Sequence, residues 1–317
     1  MSTEPQGPGV SNAQWDSRSV GRRWQQAFFA ALIRIGGRRP AYACMYFVVL
    51  WYVLFRPFVR RRCRYYLDRR FPDVTNPLIR LWHDYRRIVA LGGSLIDRGA
   101  FGLLGPGTLK VEFPEGRDLQ NLIDEGRGLI VLNSHVGCWQ VAMSAFSYLR
   151  VPVSIVMHQR AGDIDPRWFQ DAGKEAGLSI IDPAENMGGI MEMIGTLQRH
   201  EILGLMADRV FGNDPNTLET TFLGSPVHFP VSPYRLASMQ GTPIAVVFSH
   251  KTRFSTYRLR LARVIRIPAG LGRSNQAYVP YLQEFVAALE TFVQSHPWQF
   301  FNFHDMWQTS RKRSSDS

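Results

Sequence analysis

Acidic residues are nearly absent from one stretch of this chain. Residues 21–70 carry twelve arginines (22, 23, 34, 38, 39, 56, 60, 61, 62, 64, 69 and 70) and one acid, Asp68. The whole chain of 317 residues has a formal net charge of +11, so this stretch accounts for the excess and the rest is close to neutral. Cysteine is also scarce. Cys44, Cys63 and Cys138 are odd in number and lack metal-ligand spacing. That argues against a disulfide framework and against a zinc-type cluster, and fits a reducing compartment. No Walker-type loop is present; Gly102 and Gly105-Pro-Gly107 read as turn glycines. The main uncharged run, 41–55, has 15 residues, short of the roughly 20 that a membrane span needs. It starts too late for a secretory signal and no small-residue cleavage site follows it, so none is expected.

Hydrophobic residues make up 45% of the chain, enough for a large core. The length allows one large domain or two ordinary ones. A pI of about 9.9 invites two partners, nucleic acid or an anionic membrane surface. The residues between the arginines favour the membrane. Run 41–55 holds six aromatics and no charge, with arginines on both flanks. A nucleic-acid helix would interleave its arginines with polar residues, and a core helix gains nothing from a basic rim. Both flanks prefer the same, cytoplasmic side, so an interfacial or re-entrant helix is expected, with Tyr46, Trp51 and Tyr52 at the headgroup boundary.

Beyond residue 100, apolar strand-like runs alternate with helical patterns. Strands are expected at 109–113, 128–132, 152–157, 178–181, 202–206, 244–249 and 256–265. Helices are expected at 119–125, 141–149, 168–176, 187–198 and 281–293, after earlier ones at 24–35, 40–55, 58–71 and 77–98. The alternation predicts an α/β fold, a mixed sheet flanked by helices. Residues 1–20 and 309–317 read as polar, disordered ends. Residues 21–70 read as membrane-associating helices and 71–308 as the α/β domain. On that division the α/β part folds without residues 1–70.

The segment 129–140 reads Leu-Ile-Val-Leu-Asn-Ser-His-Val-Gly-Cys-Trp-Gln. It is a buried strand, a short turn and a helix start, with Trp139, Met143, Phe146 and Leu149 at helical spacing. Side chains at the carboxyl end of such a strand face the crevice where open α/β sheets bind ligands. His135 is therefore placed to act as a general base. His135 and Gln140 in one regular helix would lie about 140° apart; they meet only if His135 sits in the turn before the helix. Helix-start N–H groups there could hold an oxyanion.

His135 with Gln140 resembles the His-x-x-x-x-Asp/Glu motif of the lysophospholipid acyltransferase superfamily. The closer likeness is to its bacterial lipid A lauroyl and myristoyl acyltransferase branch, which often reads Asn-x-His-x-Gly-Asn-x-Glu. This chain departs from that pattern at Cys138 and Gln140. Further segments match in order: Met157-His158-Gln159-Arg160, Gly204 to Asp208-Arg209, Thr221-Phe222-Leu223-Gly224 with Phe229-Pro230, Arg235-Leu236-Ala237 with Gly241-Thr242-Pro243, and Pro297 to Phe301 with His304 and Trp307. The resemblance covers roughly residues 20–308. It implies acyl transfer from an acyl carrier protein or coenzyme A thioester to a lipid or glycolipid, at the cytoplasmic face of a bacterial inner membrane. No further cofactor, no metal and no nucleic-acid partner are expected. His135 would be the base and Gln140 its motif partner. Arg160 would hold developing charge, while Asp208, Arg209 and the Phe222–Gly224 loop would shape the site. Cys138 as a thiol nucleophile is a rival reading. Gln140 cannot neutralise an imidazolium, which leaves three readings open: a slower enzyme, another acid such as Asp208 in its place, or a non-catalytic lipid-binding relative. A Glu at position 140 is expected to preserve or raise activity.

Overall fold

The computed structural model describes residues 23–143, 146, 149, 151–157, 178–183, 189–210 and 216–307. Four helices lead: α1 (Arg23–Gly36), α2 (Arg38–Phe55), α3 (Pro57–Arg70) and α4 (Pro77–Leu104). Then come β1 (Lys110–Glu112), α5 (Gly116–Asp124), β2 (Leu129–Asn133), α6 (Trp139–Met143), β3 (Val153–Val156), β4 (Leu178–Ile181), α7 (Ile190–Gln198) and β5 (Ile202–Met206). A hairpin, β6 (Thr217–Phe222) and β7 (Ser225–Pro230), leads to α8 (Ser232–Gln240), β8 (Ile244–Arg253), β9 (Thr256–Ile265) and α9 (Val279–Ser295). The helix expected at 168–176 lies outside the described residues. The hairpin and α8 are additions that prolines at 226, 230 and 233 hid from a periodicity reading. Helix α4 runs on past residue 98 and stops at Gly105, whose φ of 90° suits glycine.

Among the described residues, seven strands make one mixed sheet in the order β1-β9-β8-β2-β5-β3-β4. β8, β2, β5, β3 and β4 are mutually parallel, and β9 turns back antiparallel to β8. The sheet is covered on both faces, as parallel strands require, so its central strand reads as a continuous apolar run. In β2, Ile130 and Leu132 face the larger core, shared with α3, α7, α8, α9 and the hairpin. Leu129 and Val131 face a smaller core with α5, Phe146 and Leu149.

Helix α2 is two-faced. Tyr42, Met45, Val49 and Val53 pack inward onto α4. There Gly92 and Gly93 make room: a Cβ on Gly92 would sit 2.9 Å from the Met45 side chain. The opposite stripe, Tyr46, Phe47, Leu50, Trp51, Leu54 and Phe55, is exposed. No single described helix is long and apolar enough to cross a membrane; α2 and α3 would pass only together, and they bend by 91° at their junction.

The packing does not follow the expected boundary at residue 70. Cys63, Tyr66 and Leu67 of α3 are buried in the larger core, and the Tyr66 hydroxyl donates to the Pro297 carbonyl at 2.9 Å. Arg87 of α4 is fully buried. Its guanidinium donates to the carbonyls of Phe300 (3.1 Å), Cys63 (2.9 Å) and Asn302, and lies over the Tyr66 and Phe303 rings at 4.6 and 4.3 Å. A buried cation is tolerable only with its donors satisfied, so α3, α4 and the C-terminal segment are tied at one point. Burying each large apolar side chain contributes about 1.5–3 kcal/mol. Deleting residues 1–70 removes Tyr66, Leu67 and one Arg87 acceptor together. The truncated chain should lose cooperative thermal unfolding and bind a hydrophobic dye, whereas deletion of residues 1–22 should leave the transition intact. Calorimetry of the two truncations decides it.

Candidate active site

The carboxyl ends of β2 and β5 build the site. Their parallel register pairs Asn133 with Met206, and the Ala207 N–H extends the ladder to the Asn133 carbonyl at 2.9 Å. Two residues beyond that pair, one on each strand, stand His135 and Asp208. His135 Nδ1 lies 2.8 Å from Asp208 Oδ1, with the carboxylate side chain fully buried and the imidazole 26% exposed. The His135 backbone N–H also supports that carboxylate.

The electrostatics fix the resting state. Burial alone would raise the Asp208 carboxyl, but the imidazole beside it, its hydrogen bond and Arg209 hold it down at about 2. Burial pushes His135 below its ordinary 6.5, Arg209 adds to the fall, and Asp208 opposes it. The pair is therefore a neutral imidazole on an ionised carboxylate. An ionised carboxylate only accepts, so Nδ1 carries the proton and Nε2 keeps its lone pair, the arrangement of a general base. Arg209 is itself buried, which lowers it to about 10, and it donates to the Phe301 carbonyl at 3.2 Å. His304, which also feels Arg209, Asp208 and His135, is pushed by burial to about 4.

The turn is held from several sides. Phe301 N–H donates to the His135 carbonyl at 2.7 Å, and Gly137 N–H to the Gln299 carbonyl at 3.0 Å. The Ser94 hydroxyl of α4 reaches the Gly137 carbonyl at 3.1 Å. Gly137 has φ of 56°, and a Cβ there would lie 2.1 Å from the Ser249 carbonyl oxygen of β8, so no side chain fits. The N–H of Ser134 goes to the Asn133 side chain and that of Val136 to the Ser134 carbonyl. All four N–H groups of 134–137 are thus engaged within the protein, and the turn itself offers no oxyanion donor.

The other expected site residues divide. Gln140 is not the Nδ1 partner; that position belongs to Asp208. Its amide, oriented by its hydrogen-bond network, accepts from Trp139 Nε1 at 3.2 Å and from Arg98 Nη1 at 3.1 Å, and Cys138 Sγ lies 3.8 Å away. The Cys138 thiol is buried, and burial raises it even though the Val141 N–H favours its charge. A thiol so held is a poor nucleophile. Gly224 serves the β6–β7 turn, where it and Leu223 have φ of 73° and 50°, as a tight hairpin requires. Its neighbour Phe222 leads toward the site, with its ring 6.1 Å from that of Phe300. Trp307 packs: its ring stacks on Phe222 at 6.0 Å. Arg160 lies outside the described residues. Of the three readings that Gln140 leaves open, the one with Asp208 in place of the acid matches this geometry: His135 and Asp208, 73 residues apart, stand at equal offsets from two paired strands.

Beside these strand ends a narrow apolar cavity of about 50 Å³ opens between the sheet and α6, lined by Val131, Asn133, Trp139, Ile155, Gly204 and Met206 among others. Among the described residues, no group of three or more His, Cys, Asp or Glu could hold a metal ion. The family model for the bacterial lipid A biosynthesis acyltransferases matches residues 109–309, more than half of the chain. No curated protein matches it.

A group whose folded pKa is lowered below its unfolded value binds its proton more readily unfolded, so it stabilises the fold at high pH and ceases to on acidification. Both His135 and Asp208 are lowered, so both act in the same direction. Nitrogen-15 spectra of histidine-labelled protein at pH 7 should show His135 neutral with its proton on Nδ1. Titration should protonate it only below 6.5. An Nε2–H tautomer would break the assignment.

Proposed function

The chain belongs to the bacterial lipid A biosynthesis acyltransferase family, and on that premise we propose that it moves a fatty acyl chain from an acyl carrier protein or coenzyme A thioester to a lipid or glycolipid hydroxyl. The observation that carries this reading is the His135–Asp208 pair at the mouth of a crevice with an apolar cavity beside it. His135 Nε2 removes the acceptor proton as the acceptor oxygen attacks the thioester carbonyl. Asp208 keeps the ring oriented and supports the imidazolium. The tetrahedral oxyanion then collapses, the carbon–sulfur bond breaks, and the imidazolium returns the proton to the leaving thiolate. The products are the ester and a free thiol. Arg160 remains our proposed partner for the oxyanion. The cavity, lined by Trp139, Ile155 and Gly204, reads as the start of the acyl-chain site.

The non-catalytic alternative was motivated by Gln140. Asp208 supplies the carboxylate that Gln140 lacks, which removes that motive. A Glu at position 140 would meet Arg98 rather than the imidazole. His135→Ala should abolish new acyl-lipid species in mass spectra of a complemented deletion strain, while the protein keeps a cooperative thermal transition at a lower midpoint. Gln140→Glu should leave turnover within about threefold of the parent, the equivalent of roughly 0.7 kcal/mol. Full acylation by His135→Ala would sink the base assignment.

The reading also places the enzyme at the cytoplasmic face of the inner membrane. The exposed stripe of α2 supports an interfacial seat, and Arg56 and Arg61 of the adjoining segment are solvent-exposed. Arg64 is a poor probe, because it pairs with buried Asp84 at 2.6 Å. Each basic residue near an anionic surface contributes about 1 kcal/mol. Replacing Arg56, Arg60 and Arg61 by Gln should weaken binding to phosphatidylglycerol vesicles about a hundredfold and change binding to phosphatidylcholine little. Equal loss on both vesicle types would contradict an electrostatic seat.

A further inference from the structure

On the larger-core face of the sheet, β8 and β9 bring a second set of nitrogen groups together. Their register places His250 opposite Arg258 and Phe248 opposite Arg260, so all four project to one face. His296, just past the end of α9, lays its ring against His250 with centroids 4.1 Å apart. Phe292 forms the apolar wall, 4.9 Å from His296 and 6.2 Å from His250.

Charge here is poorly balanced. Glu112 on β1 pairs with Arg258 at 3.0 Å and with Lys110 at 2.9 Å. The Arg260 side chain is solvent-exposed and makes no ion pair or side-chain hydrogen bond among the described residues. His250 is 9% exposed, and its Nδ1 is buried without a partner. Burial first, then His296, Arg258 and Arg260 push its ring down to about 4. His296 is lowered by burial, with Arg260 adding to the fall. Two imidazoles and two guanidiniums thus share one carboxylate, with Arg258 and Arg260 at the open side.

We propose that His250, His296, Arg258 and Arg260 form a second binding site, which takes a phosphate group, either on a lipid headgroup or free in solution. The chemistry is matched. A phosphate offers several acceptor oxygens, and a guanidinium presents a planar fork to two of them. A phosphate anion relieves the repulsion between the two guanidiniums and favours the protonated form of the imidazoles beside it. A membrane placement is compatible: the strands carrying these residues meet at the β8–β9 hairpin, whose Phe254 ring packs on Tyr42 of α2 at 5.0 Å.

The test uses the full chain labelled at histidine, followed by NMR at pH 6.5 and constant ionic strength. Inorganic phosphate should shift the His250 and His296 ring signals saturably, chloride should not, and His135 should stay unmoved. Arg260→Gln, an exposed change without lost contacts, should keep the fold and weaken phosphate binding about tenfold. Vesicles of phosphatidic acid in phosphatidylcholine form the second arm. The same shifts there assign the site to headgroup phosphate, and shifts with inorganic phosphate alone assign it to a soluble one. Absence of saturable shifts in both arms, or equal affinity in Arg260→Gln, overturns the proposal. Turnover is not read, so the outcome is independent of the acyl-transfer reading.

Discussion

Two neighbouring strands in parallel register, β2 and β5, set where the imidazole of His135 can go. Because Asn133 and Met206 are paired, residues at equal offsets beyond them emerge side by side, and those residues are His135 and Asp208. The carboxylate is fully buried and held near 2 by its neighbours. A buried carboxylate without such partners would be costly. The imidazole and Arg209 offset that cost, and the ring in turn is fixed in one tautomer. Stability and the proposed chemistry rest on the same hydrogen bond.

The proposed base role requires the ring to be held within a fraction of an ångström, and the rest of the fold holds the turn that carries it. Phe301 and Gln299 bond the turn directly, Arg87 and Arg209 hold carbonyls of the same segment, and Ser94 reaches in from α4. Lys251 and Gln299 exchange bonds through backbone and amide. The Lys251 ammonium also joins Asp97, which binds Arg38 at 2.8 Å and the Tyr257 hydroxyl at 2.7 Å. Through Asp97 the first helices are locked to the far end of β8 and β9. The basic, apolar N-terminal helices are thus part of the frame that positions the site.

Much of the fold was legible. Strands 202–206 and 256–265 fall where expected, the first as an apolar run between turn residues and the second by its alternation of apolar and basic residues. The hairpin was not, since its prolines break the alternation while sitting at tolerated places. The packing crosses the expected division at residue 70 for another reason. Alternating arginines with Cys63, Tyr66 and Leu67 gave α3 a basic composition, and composition does not show that its one buried face enters the main core. At the site, His135 was legible from a strand–turn–helix pattern. Asp208 was legible as one of three answers to the amide at Gln140; that it is the one that meets Nδ1 follows from the sheet order β2-β5, which local spacing does not show.

The pH dependence of kcat/KM in the parent and in Asp208→Asn, measured with an acyl thioester and a lipid acceptor, tests the central claim most directly. In the parent, activity should fall on the acid side with an apparent pKa below 6.5, where His135 gains its proton. In Asp208→Asn the thermal transition should persist, and turnover should fall by orders of magnitude; the same exchange costs about 10⁴ in the serine-protease triad. A variant with near-parental turnover and an unchanged acid limb would show that Asp208 does not support the base.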